Sequence, residues 1–112
     1  MTESEFLSLA EQTLDVIESA LERASEDSDL DVECSRSGNV LEIEFIENGS
    51  KIIVNSQTPM REIWVAARSG GFHYKKEEGR WLNTRDKSEL FSSLSKMVSE
   101  QGGVILNLCN GQ

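Results

Sequence analysis

Residues 41–54, Leu41-Glu42-Ile43-Glu44-Phe45-Ile46-Glu47-Asn48-Gly49-Ser50-Lys51-Ile52-Ile53-Val54, decide how this chain folds. Leu41, Ile43 and Phe45 alternate with Glu42 and Glu44, the period of a strand with one buried and one wet face. Asn48-Gly49 is the strongest short hairpin signal in the sequence, and Lys51-Ile52-Ile53-Val54 reads as the returning strand. Working outward, Leu30, Val32 and Cys34 alternate with Asp31 and Glu33, and Ser37-Gly38-Asn39 turns the chain into Leu41. Downstream, the only proline, Pro59, precedes Ile63-Trp64-Val65-Ala66-Ala67. Gly70-Gly71 then turns into Phe72-His73-Tyr74, and Glu78-Gly79 into Trp81-Leu82. Short turns throughout predict an antiparallel meander of about six strands.

Two helical patterns flank the meander. Thr2 and Glu5 stand in capping-box spacing, and Phe6, Leu9, Ala10, Thr13, Leu14, Ile17, Ala20, Leu21 and Ala24 form one broad apolar stripe. At about 100° per residue, Glu11, Asp15, Glu18, Glu22 and Glu26 fall in a narrow arc roughly opposite that stripe. The second helix starts with Asp86 as cap and Glu89 as third residue, carries Leu90, Phe91, Leu94, Met97 and Val98 inward, and stops at Gly102-Gly103. The apolar tail Val104–Cys109 is expected to pack back on the core. Helix, strands, helix reads as an α+β fold, a single domain over 1–112 with both helices on one sheet face.

The 112 residues suit one modest core, and their charge is unevenly spread. Residues 1–47 hold 14 acidic and 2 basic side chains, net −12; residues 48–112 hold 6 and 9, net +3. An acidic first half argues against nucleic acid, whose phosphates need basic side chains, and favours cations or a basic protein surface. No apolar run approaches the roughly 20 residues that span a bilayer, and the first residues lack a signal peptide's basic start. Cys34 and Cys109 are far apart without ligand spacing, which reads as free thiols in a cytoplasmic protein.

Catalytic signatures are weak. One histidine, His73, lies in a strand pattern without a placed serine and acid, and Ser69-Gly70-Gly71 has no phosphate-loop spacing. Asp27-x-Asp29-x-Asp31 imitates the start of an EF-hand loop, but Val32 and Gly38 occupy the positions that need Gly and Glu.

The acidic arc carries an energetic cost. Four like-charge neighbours, Glu11–Asp15, Asp15–Glu18, Glu18–Glu22 and Glu22–Glu26, cost roughly 0.2–0.5 kcal/mol each. Glu22 and Glu26 sit at the negative end of the helix dipole for about 0.3–1 kcal/mol each. A surface needing only solubility could alternate signs at lower cost, which favours a functional acidic surface over a merely solvated one. Clustered carboxylates without thiolate or imidazole suit hard cations, Mg²⁺, Ca²⁺, Mn²⁺ or iron, and a basic protein partner is an equal physical match.

The capped acidic helix, Asp27-Ser28-Asp29-Leu30-Asp31-Val32-Glu33 and Glu47-Asn48-Gly49-Ser50-Lys51-Ile52-Ile53-Val54-Asn55 together resemble bacterial frataxins, the CyaY type. Asn55-Ser56-Gln57-Thr58-Pro59 followed by Ile63-Trp64-Val65-Ala66, and then Gly70-Gly71-Phe72-His73-Tyr74, are the specific part of the resemblance. It covers essentially the whole chain and is weakest after Gly102. The resemblance implies a frataxin fold and a role in iron–sulfur cluster assembly. It implies weak Fe²⁺ or Fe³⁺ binding, with other divalent cations as substitutes, on a ridge of Glu18, Glu22, Asp27, Asp29, Asp31 and Glu33. It also implies docking on a cysteine desulfurase and a scaffold protein through a sheet surface that includes Asn55, Gln57 and Trp64. Relatives often carry acids where this chain has Ser19, Arg23 and Ser25, whereas Glu42 and Glu44 add carboxylates on the second strand. A metal-independent interaction module whose acidic face docks on the desulfurase is the alternative. Ferroxidase activity would need a buried di-iron carboxylate–histidine site that nothing here supplies. Without metal a monomer is expected.

Alternation also assigns faces around Trp64. Ile63 and Val65 point one way and Trp64 the other, so helices covering Ile63 leave Trp64 as an exposed aromatic anchor. Trp81 reads as core or half-core.

Overall fold

A computed structural model of the chain describes residues 1–103. The tail Val104–Cys109, expected to pack on the core, lies outside the described residues. The elements are α1 (Glu3–Asp27), β1 (Val32–Ser37), β2 (Val40–Phe45), β3 (Lys51–Gln57), β4 (Glu62–Ala67), β5 (Gly70–Glu77), β6 (Arg80–Asn83) and α2 (Leu90–Gly102). The six strands form one antiparallel sheet in the order of the chain, β1 to β6.

The capping box opens α1: the Glu5 amide donates to Thr2 Oγ1 at 3.2 Å, and the Thr2 amide donates to Glu5 Oε1 at 3.0 Å. Phe6, Ala10, Leu14, Ile17, Ala20 and Leu21 are buried along its stripe. They meet one face of the sheet, where Leu41, Ile43, Ile52, Val54, Ile63, Val65 and Tyr74 are buried, and Leu90, Phe91, Leu94 and Val98 of α2 complete the core. Both helices therefore cover one face and leave the other open, as the alternation predicts.

Trp81 belongs wholly to the core. Its indole N–H donates to Thr13 Oγ1 at 3.0 Å, and Phe6 packs edge-on with ring centroids 6.1 Å apart. These contacts tie the last strand to α1.

β2 and β3 form the expected hairpin, and Asn48-Gly49 lies within its five-residue connection. Phe45 and Ser50 close the ladder (amide to carbonyl, 2.8 Å), while the Asn48 side-chain amide donates to the Gln101 carbonyl at the end of α2. The N-cap of α2 is Glu89, not Asp86. The Glu89 carboxylate accepts from the amides of Phe91 (2.8 Å) and Ser92 (3.0 Å), whereas Asp86 closes a tight turn onto Ser88. At the other end of α2, a Cβ on Gly102 would lie 2.5 Å from Leu30 Cδ1, so a larger residue there would require the buried Leu30 side chain to shift.

Candidate functional site

The acids expected to make one ridge fall on two sides of the molecule. Glu18 and Glu22 project from α1 beside β1, close enough to act on the Cys34 thiol. Burial pushes that thiol up from an ordinary 9.0 to about 11, and the Glu18 and Glu22 carboxylates add to the shift. Cys34 is half-buried on the helix-covered side of β1 with Val32 and Arg36. Asp27 ends α1, and Asp29 and Asp31 lie exposed in the link to β1. Glu33, one residue from Cys34, points to the open face, because successive strand side chains alternate.

Arg36 also modifies the ridge. Its guanidinium donates to Asp15 at 2.7 Å, reaches Glu18 at 4.0 Å and bonds the Gly38 carbonyl through Nε at 3.0 Å. It bridges one of the repulsive pairs of the acidic arc, and Glu18, with its side chain 27% exposed, flanks the core rather than standing opposite it. Among the described residues, no three His, Cys, Asp or Glu side chains converge as a preformed metal site.

The open face is organised by cross-strand rows. Glu33 lies opposite Glu44, which lies opposite Lys51, and Glu42 sits beside them, its carboxylate 3.4 Å from Lys51 Nζ. Like charges directly opposite one another are destabilising, so Lys51 partly offsets an acidic patch at this end of the sheet. In the middle of the face, Val40, Asn55, Trp64 and His73 form one row, and Gln57, Glu62, Lys75 and Leu82 the next. Asn55, Gln57 and Trp64, the three residues expected to meet partners, are thus adjacent on the helix-free side. Gln57 Nε2 donates to Asn55 Oδ1 at 2.6 Å, so the two amides hold one another.

Trp64 is half-buried, and its ring stacks on His73 at 4.3 Å between centroids and 7° between planes. Its indole N–H donates to Glu62 Oε1 at 2.7 Å, and His73 Nδ1 lies 3.5 Å from the same oxygen. Glu62 is on the open face, yet its side chain is only 7% exposed, whereas His73 is 47% exposed. Sequence reasoning missed Glu62 and gave His73 no role. The signal available was alternation, which puts residues 62, 64 and 73 on one face once the register is known.

This geometry, two helices over a six-stranded meander with Trp64 on the bare side, sits on a sequence that matches the frataxin-like domain family over residues 1–104. The chain is a bacterial frataxin of the CyaY family. It is 70% identical over 104 residues to the "Iron-sulfur cluster assembly protein CyaY" of Herminiimonas arsenicoxydans, covering 93% of each chain. It is 56% identical over 108 residues to the protein of the same name from Cupriavidus necator, covering 96% of each. Among solved structures, frataxin from Psychromonas ingrahamii superposes with a TM-score of 0.81 at 32% identity, covering 98% of this chain and 100% of that one. Trimeric yeast frataxin, solved in complex with ferrous iron, gives a TM-score of 0.73 at 25% identity, covering 92% and 88%. Among the described residues of this frataxin, no helix is long and apolar enough to cross a membrane.

Proposed function

We propose that this frataxin takes part in iron–sulfur cluster assembly, binding Fe²⁺ or Fe³⁺ weakly on its acidic side and docking on a cysteine desulfurase and scaffold protein through the open sheet face. The observation that carries the reading is the placement of Asn55, Gln57 and Trp64 side by side on the helix-free face of a protein whose relatives are named for cluster assembly. A bare sheet face with a half-buried aromatic among amides suits a protein partner. Exposed carboxylates along α1 and the link to β1 suit a hard cation held loosely and exchangeably, and the ferrous complex of the yeast relative supports iron as that cation. Relatives named for assembly support a non-enzymatic role.

One observation favours the metal-independent alternative: Glu18 and Glu22 on one side of β1 and Glu33 on the other are spread as an extended charged surface would be. A pull-down with the cysteine desulfurase, with and without iron, tests both. Under the first reading, iron changes the amount captured, and charge reversal at Glu18 and Glu22 abolishes that change. Capture that is lost on charge reversal in metal-free buffer, and indifferent to iron in the wild type, overturns the metal reading in favour of the second. No capture under any condition overturns both.

A further inference from the structure

The open face holds one ionisable group that its position does not require. A carboxylate on the wet side of a strand is ordinarily solvated, but Glu62 is 7% exposed at its side chain. Burying a charge is costly unless its oxygens find donors. Oε1 accepts from the Trp64 indole at 2.7 Å and lies 3.5 Å from His73 Nδ1. Oε2 takes no hydrogen-bond or ion-pair partner among the described residues and is open to water, since Tyr74 Oη is the one fully buried side-chain polar atom left unpaired among them. The two nearest cations do not serve it. Lys75 stands opposite on β5 without an ion pair to Glu62, and the Arg61 guanidinium donates to the Thr58 carbonyl. Glu62 is therefore a carboxylate with one oxygen bonded inside the protein and the other open to a partner, set between Gln57 and Lys75 across the sheet with stacked Trp64 and His73 rings beside it.

We propose that Glu62 is the specificity-determining residue of the open face and receives an arginine guanidinium from the docked partner. The proposal rests on the reading of that face as the docking surface. Three features select guanidinium over ammonium. The Glu62 carboxylate lies beside the Trp64 indole and the His73 ring through Oε1, and a guanidinium stacks on aromatic faces while donating in its own plane. A guanidinium is more weakly hydrated than an ammonium and so loses less on giving up water against a carboxylate side chain that is itself mostly covered. Lys75, already across the strand, supplies no ion pair here, so an ammonium at this position has not closed on the carboxylate. The indole–carboxylate bond sets Oε1 and the ring together before the partner arrives, which reduces the ordering cost of binding.

The test measures binding of the cysteine desulfurase–scaffold assembly to wild type, Trp64→Ala and Glu62→Gln at low and moderate salt. Glutamine keeps the shape and an acceptor for the indole but removes the charge, so the melting temperature should hold. Expected is a loss of about tenfold in affinity for Glu62→Gln with a shallower salt dependence, and a larger loss for Trp64→Ala. If Trp64→Ala weakens binding and Glu62→Gln binds like wild type, the guanidinium assignment is overturned and the docking face stands. If neither variant changes binding, the docking face is wrong and the assignment falls with it. If Glu62→Gln lowers the melting temperature, titration of the ¹⁵N-labelled protein with N-acetyl-arginine amide decides the assignment. A shift of the Trp64 indole signal that is absent with N-acetyl-lysine amide and absent in Glu62→Gln upholds it, and no shift overturns it.

Discussion

Two of the regions that carry carboxylates hold them differently. On α1 and the link to β1 they are numerous, mostly exposed and held in two places, where Glu5 caps the helix onto Thr2 and where Arg36 reaches Asp15 and Glu18. On the open face a single carboxylate, Glu62, is buried and bonded to the aromatic ring that makes the surface distinctive. Charge density and preorganisation are therefore separated. The first region concentrates negative charge without shaping a cage among the described residues, while around Glu62 the second fixes a carboxylate against a ring. The difference teaches that a strongly acidic composition says where counterions gather and little about where geometry is held.

The largest effect that would break this comparison is on docking. Trp64→Ala should weaken binding to the desulfurase–scaffold assembly by about 100-fold, the scale of a central aromatic anchor, and leave the fold intact because Trp64 lies outside the core. Titration calorimetry reads the affinity and thermal melting the fold. Unchanged affinity in a folded variant would remove the open face from the account.

The next effect sharpens the acidic side. With its thiol held at about 11, Cys34 carries roughly 100-fold less thiolate near neutral pH than a thiol at 9.0, partly offset by the greater nucleophilicity of a more basic thiolate. Alkylation should be about tenfold slower than for an unstructured thiol, and Glu18→Gln with Glu22→Gln should speed it, because both carboxylates raise the thiol. Mass spectrometry of iodoacetamide adducts at Cys34 follows the rates. The folded value lies above the unfolded one, so this contribution to stability is complete below pH 9.0 and is lost as pH rises through about 11. Cys34→Ala should flatten the alkaline limb of a stability–pH curve, and an unchanged limb would show that the shift carries no stability.

The smallest effect concerns repulsion. Glu22→Gln removes two like-charge neighbours, worth together about 0.4–1 kcal/mol, or up to roughly 4–8 °C in melting temperature for a domain of this size. Added salt should narrow the gap between variant and wild type. The matching change Glu62→Gln should show no such gain, since that carboxylate is bonded rather than repelled.

Much of this was legible in the sequence. The period of two in Leu41–Phe45 and Ile63–Val65 placed Trp64 on the bare face, and the period of three to four in α1 placed the core. The capping box at Thr2 and Glu5 stood as written. What escaped depends on residues brought together from far along the chain. Arg36 meets Asp15 across 21 positions, and nothing local marks that pairing. Glu62 looks like a solvated strand residue until the β4–β5 register stacks His73 on Trp64 beside it. Glu33 was different. The alternation that put Cys34 inward already sent Glu33 to the other face, but the family resemblance had placed it on the ridge.

The most direct test of the division between the two regions is an anaerobic ¹H–¹⁵N NMR titration with Fe²⁺. The account predicts that amides between Glu18 and Glu33 shift or broaden first, while the Trp64 indole and the His73 amide stay in place until those signals have moved. Perturbation that begins at Trp64 and His73, or a titration that leaves residues 18–33 unmoved, would contradict it.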